Sequence, residues 1–337
     1  MGIRKVQKVG KSTFTVSLPR EWVKASNLQP GTEVDVQSLP DGGLRVLTLA
    51  SMKSDSKIKE ALICPSDPDP GYVIRRAVAA YVANFDLIRI DFSKISMDLA
   101  GKEKIRKMLK NKLAGGEIIE ESVNQISIQI LLRPYEFPLN RLLLRVATMA
   151  HDMMIDVKSA MAEKNGNILR EVIERDEDVD KLYFMASRWL TSMISDQSTL
   201  SDYGLNEARD CLEFRLAFRH IERVADHVQR IATNYLGAMD AVNKDLADSL
   251  AATLDAAGKV FLRSVNCLQS GSLQEANKAI HDSRKVIAVG EELMKRVVDE
   301  NMCAKNIGEL IIVVDSLKRI AEYGMGISEI AFNLHAE

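Results

Sequence analysis

Between residues 3 and 49, apolar positions alternate with polar ones: Val6 and Val9, then Phe14, Val16 and Leu18. A period of two is that of a strand with one covered face. Pro19 ends the run. Residues 20–26 have the length of about two helical turns. Pro30-Gly31 signals a turn, Val34-Asp35-Val36 starts a further strand, and Asp41-Gly42-Gly43 predicts a hairpin that returns through residues 44–49. Residues 51–70, rich in Ser, Asp, Lys and Pro, read as a linker with a short strand around Leu62. Residues 71–135 alternate in type. A helix is expected over 72–85, a strand over 87–92, a basic helix over 100–113, and one long or two short strands over 117–132 around Val123-Asn124. Pro134 and Pro138 close this small α/β unit.

From residue 139 the period lengthens to three and four, as in Leu142, Val146, Met149, Met153, Val157 and Met161. Six helical segments follow, at about 139–164, 167–195, 204–237, 243–270, 273–301 and 306–335. Asn165-Gly166, residues 201–204, Gly237 and Gly271-Ser272 separate them. Ser272 with Glu275, and Asn306 with Glu309, have the spacing of capping boxes. Short connections between long amphipathic helices make neighbours antiparallel. The expected architecture is therefore multidomain: a small β head (1–50), the linker, the α/β unit, and a mainly α body of two antiparallel three-helix bundles (139–238 and 243–335). Ile221-Glu222-Arg223-Val224-Ala225-Asp226 is echoed by Leu317-Lys318-Arg319-Ile320-Ala321-Glu322, in the third and sixth helices, as a duplicated unit would place them.

Of the 337 residues, 46% are apolar, enough for a sizeable core, and the net charge of −2 selects no partner. The distribution says more. Residues 1–50 carry a net +3 and residues 139–337 a net −7, so the two ends meet different partners. Cys64, Cys211, Cys267 and Cys303 form no C-x-x-C pair and read as reduced thiols. No apolar run reaches the ~18 residues of a membrane span, and the charged start is unlike a secretory leader. A cytoplasmic location is expected.

The head is small for a β-rich unit without disulfides or metal ligands, so pairing with a second copy is its route to stability. The run Arg4-Lys5-Val6-Gln7-Lys8-Val9-Gly10-Lys11-Ser12-Thr13-Phe14-Thr15-Val16-Ser17-Leu18-Pro19, followed by Trp22 and Leu28-Gln29-Pro30-Gly31-Thr32-Glu33-Val34, resembles the AbrB/SpoVT/MazE swapped-hairpin family. That resemblance implies a homodimer of interlocked hairpins that presents basic residues to DNA. The candidate phosphate contacts are Arg4, Lys5, Lys8, Lys11 and Arg20, cations clustered near strand edges and turns. The alternative is that these charges are solvated and the head only dimerises.

In the body, Asp176 and Asp180 lie four apart on the second helix, and Glu222 and Asp226 four apart on the third, each pair on one helix face. Four converging carboxylates repel one another unless a cation joins them. Hard oxygen ligands suit Mg, Mn, Ca or iron. The alternative for the first pair is a solvated charged surface. The segment Ile221-Glu222-Arg223-Val224-Ala225-Asp226-His227 with Ile231-Ala232, and the run Val172-Ile173-Glu174-Arg175-Asp176 through Asp180-Lys181-Leu182, resemble the third- and second-helix motifs of PhoU proteins. The resemblance covers about residues 139–337. It implies two three-helix bundles whose E(D)-x-x-x-D motifs bind metal (iron, Mg, Mn or Zn). It also implies a negative regulator that works with phosphate transporters and phosphate-signalling proteins. The second bundle departs from the pattern. Lys318 stands where Glu is expected, Glu322 where Asp is, and Val286 four residues after Asp282. One metal site, in the first bundle, is expected.

The body has no Gly-rich phosphate loop, no H-E-x-x-H, and no Glu-x-x-His pair of the di-iron bundle enzymes. His220 and His227, seven apart, read as capped or surface residues. The expectation is a regulator rather than an enzyme. The alternative is a metal-binding helical accessory protein of a phosphate ABC transporter whose head only dimerises.

Overall fold

The computed structural model describes residues 3–38, 42–48, 58–132, 138–195, 199–200 and 203–335. The chain forms two compact units, Met1–Ile58 and Lys59–Glu337. Asp41 of the expected hairpin turn, residues 51–57 of the expected linker, and Pro134 lie outside the described residues.

In the first unit, β1 (Gln7–Val9) and β2 (Thr13–Thr15) form an antiparallel hairpin with Lys8 opposite Phe14. Gly10 turns it at φ +69°, a conformation that costs an L side chain steric energy. A short helix α1 (Arg20–Ala25) starts after Pro19. Strands β3 (Val34–Ser38) and β4 (Leu44–Thr48) pair as a second antiparallel hairpin. Two-stranded hairpins alone are marginal in water. Here Phe14 is 68% and Val9 55% exposed. The alternation that predicts half-buried strands thus marks apolar side chains that this unit leaves uncovered.

The second unit begins with an α/β layer. Strand β5 (Glu60–Ile63) runs parallel to β6 (Leu87–Asp91). β6 pairs antiparallel with β8 (Gln125–Ile130), and β8 with β7 (Gly116–Glu121), giving the order β5-β6-β8-β7. Helices α2 (Pro70–Val82) and α3 (Leu99–Lys112) are joined to this sheet by a shared apolar cluster. Ile63, Ile88, Ile90, Ile126, Ile128 and Ile130 of the sheet meet Val73, Ala77, Tyr81, Ile105 and Leu109 of the helices. The short strand expected around Leu62 forms, as the edge strand β5 of the sheet. The segment expected to be a linker up to residue 70 instead ends in a helix start. Pro70 is the first residue of α2, and the Asp69 carboxylate accepts from Gly71 N and Tyr72 N. An N-cap acid followed by Pro at the first helical position is a helix start, because that N–H has no intrahelical partner to lose.

The body has six helices among the described residues: α4 (Leu139–Glu163), α5 (Gly166–Ser195), α6 (Ala208–Ala238), α7 (Lys244–Ser270), α8 (Leu273–Asp299) and α9 (Ala304–Leu334). Their ends are chemically marked. Lys164 takes a left-handed conformation after α4, Glu207 and Asp210 cap α6 reciprocally, Asn243 caps α7, and Ser272 Oγ accepts from Glu275 N. The expected cap at Asn306 does not form. Cys303 precedes α9, and Asn306 lies within it. Helices α4–α6 and α7–α9 each pack as a three-helix set, and α6 against α9 is the most extensive pairing. The two sets therefore share one apolar core, with Trp189, Phe218 and Phe261 fully buried. Truncating any of these aromatics to Ala costs about 3–5 kcal/mol. The echoed segments coincide in this core: Ile221, Val224 and Ala225 on α6, and Leu317, Ile320 and Ala321 on α9, are all fully buried.

The α/β layer docks on α5. Arg188 donates from Nη1 to the carbonyls of Tyr81 (2.9 Å) and Phe85 (2.6 Å), and from Nη2 to Asp86 (3.0 Å). Phe184 packs against the apolar clusters of both layers.

Candidate metal centre

The apolar stripe of α5 runs Leu169, Val172, Asp176, Val179, Tyr183. An aspartate thus occupies a core position, facing α6. Asp176 is only 8% exposed, and its Oδ1 has no hydrogen-bond partner. One turn on, Asp180 is half-buried. On α6, Glu222 is 6% exposed and Asp226 half-buried. Ligand oxygens of Asp180, Glu222 and Asp226 all lie within 4.8 Å of one another. Asp176 is outside that trio but close enough to be charge-coupled to Asp226 and Asp180. The structure thus gathers three of the four expected carboxylates, with the fourth buried beside them.

Burial raises Asp176 to about 7, reinforced by the charges of Asp226 and Asp180 and opposed by Lys112. Burial likewise raises Glu222 to about 7, with Asp226 adding and Arg219 opposing. Asp226 is raised by burial against the pull of Arg223. Carboxyls near neutrality in a buried cluster are what like charges in a poorly solvated place produce without a strong cation.

Partial neutralisation comes from three side chains of the same chain. Arg219 Nη1 donates to Glu222 at 2.7 Å, Arg223 Nη1 to Asp226 at 2.8 Å, and Lys112 Nζ to Asp180 at 2.7 Å. The two arginines sit three residues before their partners, a spacing readable in the sequence. Lys112 comes from α3, 68 residues away, and no local pattern announces it. Glu222 Oε2 has no hydrogen bond and sees only Arg223 Nε at 3.8 Å. Two buried carboxylate oxygens, on Asp176 and Glu222, therefore remain unsatisfied, a costly state that a bound cation would relieve.

Around the cluster, Asn111 donates to Glu177 at 2.8 Å, while Glu174 and Asp178 are exposed. His220 and His227 are half-buried and flank the ring of Tyr323 on α9. They belong to the α6–α9 packing, a role that their spacing of seven permits but does not specify. In the second bundle the corresponding acids are paired. Asp282 meets Arg263 at 2.5 Å and Lys285 at 2.9 Å, and Glu322 meets Arg319 at 2.8 Å. Lys318 lies 3.8 Å from Glu291.

In the head, Arg4, Lys5, Lys8, Lys11 and Arg20 are all exposed. Arg4 donates to Ser17 Oγ at 3.4 Å, Lys11 lies in the turn after β1, and Arg20 opens α1. They are available to a polyanion, and their cationic groups span a hairpin, a turn and a helix start.

Fold and site together define a helical-bundle protein with a buried carboxylate cluster, preceded by a small α/β layer and a hairpin head. Residues 143–234 match the family model of the PhoU domain, a stretch that contains all four carboxylates. Residues 7–56 match the family model described as antidote-toxin recognition MazE, bacterial antitoxin. Similar solved structures include the phosphate transport system regulatory protein PhoU from Streptococcus pneumoniae. It is 15% identical, with a TM-score of 0.48, over 59% of this chain and 94% of that one. They also include PhoU from Pseudomonas aeruginosa, 12% identical with a TM-score of 0.49, over 58% and 94%. No curated protein sequence matches. No helix among the described residues is long and apolar enough to cross a membrane.

Proposed function

We propose that this chain is a regulator of phosphate uptake, not an enzyme. Its body binds a metal ion, and its head dimerises and contacts DNA. The observation that carries the reading is the buried trio Asp180, Glu222 and Asp226 beside Asp176, inside the stretch that matches the PhoU domain. The donor set is all carboxylate, which suits a hard ion such as Mg, Mn or iron better than Zn. Asp180, Glu222 and Asp226 would hold the ion, and Asp176 would add a fourth oxygen or receive a hydrogen bond from metal-bound water. The ion would supply positive charge to a buried anionic cluster and cross-link α5 to α6.

The head reading rests on the MazE match, the exposed basic residues and the uncovered apolar side chains. A second copy placed against Val9 and Phe14 would supply the missing core and double the positive charge. The partners on this reading are a second copy, DNA, and proteins of phosphate transport or signalling, in the cytoplasm. The exposed apolar residues alone favour the second reading, in which the head only dimerises and the protein serves a phosphate transporter directly.

Two measurements test the proposal. Metal analysis of purified protein should find an ion that the Glu222→Ala, Asp226→Ala double variant lacks, and equal metal content would remove the site. An electrophoretic shift on promoters of phosphate-transport genes should show salt-sensitive binding. No binding at low salt would leave only the dimerisation role.

A further inference from the structure

The ammonium of Lys112 already occupies one oxygen of the carboxylate trio. Lys112 is the last residue of α3 in the α/β layer, yet its Nζ lies 2.7 Å from Asp180 Oδ2 on α5. The pair is well shielded, with the side chains 19% and 20% exposed. The same ammonium lies 5.5 Å from the ring centre of Phe184, a cation–π contact that fixes it further. α3 also carries Lys102, Lys104, Arg106, Lys107 and Lys110, and Lys112 is the one that reaches the acidic cluster. Next to it, Asn111 holds Glu177. The α3–β7 corner is thus pinned to α5 by two polar contacts, both at the edge of the carboxylate cluster.

Charge counting separates Lys112 from the other cations. Asp180, Glu222 and Asp226 bring three negative charges when ionised, and Lys112, Arg219 and Arg223 bring three positive ones. With Asp176 also ionised the count is four negative to three positive, and a divalent ion would turn it to a net positive charge. Arg219 and Arg223 sit on α6, each three residues before its partner, so their swinging aside breaks no contact between layers. Lys112 belongs to another layer, so displacing it does break one. An ion bound at roughly 2.0–2.6 Å to Asp180 Oδ2, the oxygen that Lys112 holds, would lie within about 5 Å of the ammonium. At that separation two cations in a poorly solvated place repel strongly.

We propose that Lys112 is a built-in competitor for the carboxylate site, so that metal loading of the first bundle releases the α3–β7 corner of the α/β layer from α5. This rests on the metal-binding reading of the site given above. Arg188 sets the limit of the movement. It grips Tyr81, Phe85 and Asp86 at another part of the interface, away from the carboxylates. The layer therefore loosens at the corner and stays anchored at the α2–β6 connection. Linkage runs both ways: whatever holds the corner down weakens metal binding by the same factor by which metal weakens docking.

The test is a Mn2+ titration of the full chain, read by the decrease of free-ion EPR signal, for wild type, Lys112→Met, Lys112→Arg and Asp226→Asn. Lys112→Met should bind Mn2+ about tenfold tighter than wild type, and Lys112→Arg, which keeps a cation there, should stay near wild type. In wild type, Mn2+ should speed amide exchange over residues 109–118 and leave residues 81–86 unchanged. Equal affinity for wild type and Lys112→Met, or slower exchange at the corner on Mn2+ binding, overturns the competition while leaving the metal site in place. Absence of Mn2+ binding in every form, or undiminished binding by Asp226→Asn, overturns the metal-site reading and the competition with it.

Discussion

The guanidinium of Arg188 on α5 donates to the backbone carbonyl of Tyr81 on α2 at 2.9 Å, and the side chain is only 5% exposed. Tyr81 O lies in the last turn of α2, where carbonyls lack helical partners and the helix dipole is negative. Arg188 therefore closes the end of a helix in another layer. Burial lowers its pKa, but a guanidinium stays charged throughout the accessible range. Arg188→Met should destabilise residues 59–335 by about 3 kcal/mol, because Phe85 O and Asp86 lose their charged donor while Tyr81 O keeps only the N–H of Asn84. Urea unfolding of the full chain measures this, and a change below about 1 kcal/mol would show that water replaces the guanidinium readily.

The metal-free protein should become less stable as the pH rises through neutrality. Asp176 and Glu222 are raised from ordinary carboxyl values to about 7. Between about pH 4 and 7 the folded state holds protons that the unfolded chain has released, so stability declines with each step up in pH there. Their contribution is complete below the unfolded pKa and disappears as pH rises through the folded value. With chelator present, the Tm should fall between about pH 5.5 and pH 8, and Asp176→Asn should fall less. Parallel profiles for the two proteins would contradict the assignment.

Gly115 reverses the chain three residues after Lys112, at φ +71°. A Cβ there would lie 2.9 Å from Leu132 N. Gly115→Ala should cost about 2–3 kcal/mol, from the left-handed conformation and the clash together. Thermal unfolding reads the destabilisation. An unchanged Tm would mean that the β7–β8 end of the sheet yields.

On the DNA-binding reading proposed for the head, Lys8→Gln with Lys11→Gln should weaken binding to DNA evenly across sequences. For every phosphate that no longer meets a cation, the plot of log affinity against log salt should flatten by about 0.9. An unchanged salt slope would assign the phosphate-binding role to Arg4, Lys5 and Arg20 instead.

Most helices of the body are legible in the sequence because a 3.6-residue period continues for 25 residues or more, as it does along α4 from Leu139 to Glu163. Strand β5 is harder to read. A strand around Leu62 is legible, but its place at the sheet edge is not, because that is set by pairing with a strand that begins 27 positions after Glu60. Asp69-Pro70 misleads because loop punctuation and helix starts use the same residues. At the site, the spacing of four puts Asp176 with Asp180 and Glu222 with Asp226. Asp176 also interrupts an apolar stripe, a local sign of a buried acid. Lys112 leaves no such sign, since a contact across 68 residues depends on how two layers dock.

The residue Phe184, which packs into both apolar clusters, bears on how this chain is best dissected. A protein built of a head, a spacer and two bundles invites cutting between Ile130, where β8 ends, and Leu139, where α4 begins. A piece starting there would carry Phe184 half-stripped, Arg188 without its carbonyls, and Asp180 without Lys112. A cut at residues 58–59, between the two compact units, keeps Phe184, Arg188 and Asp180 with these neighbours. A body expressed without its α/β layer would therefore report the metal affinity of a site that the intact chain does not present.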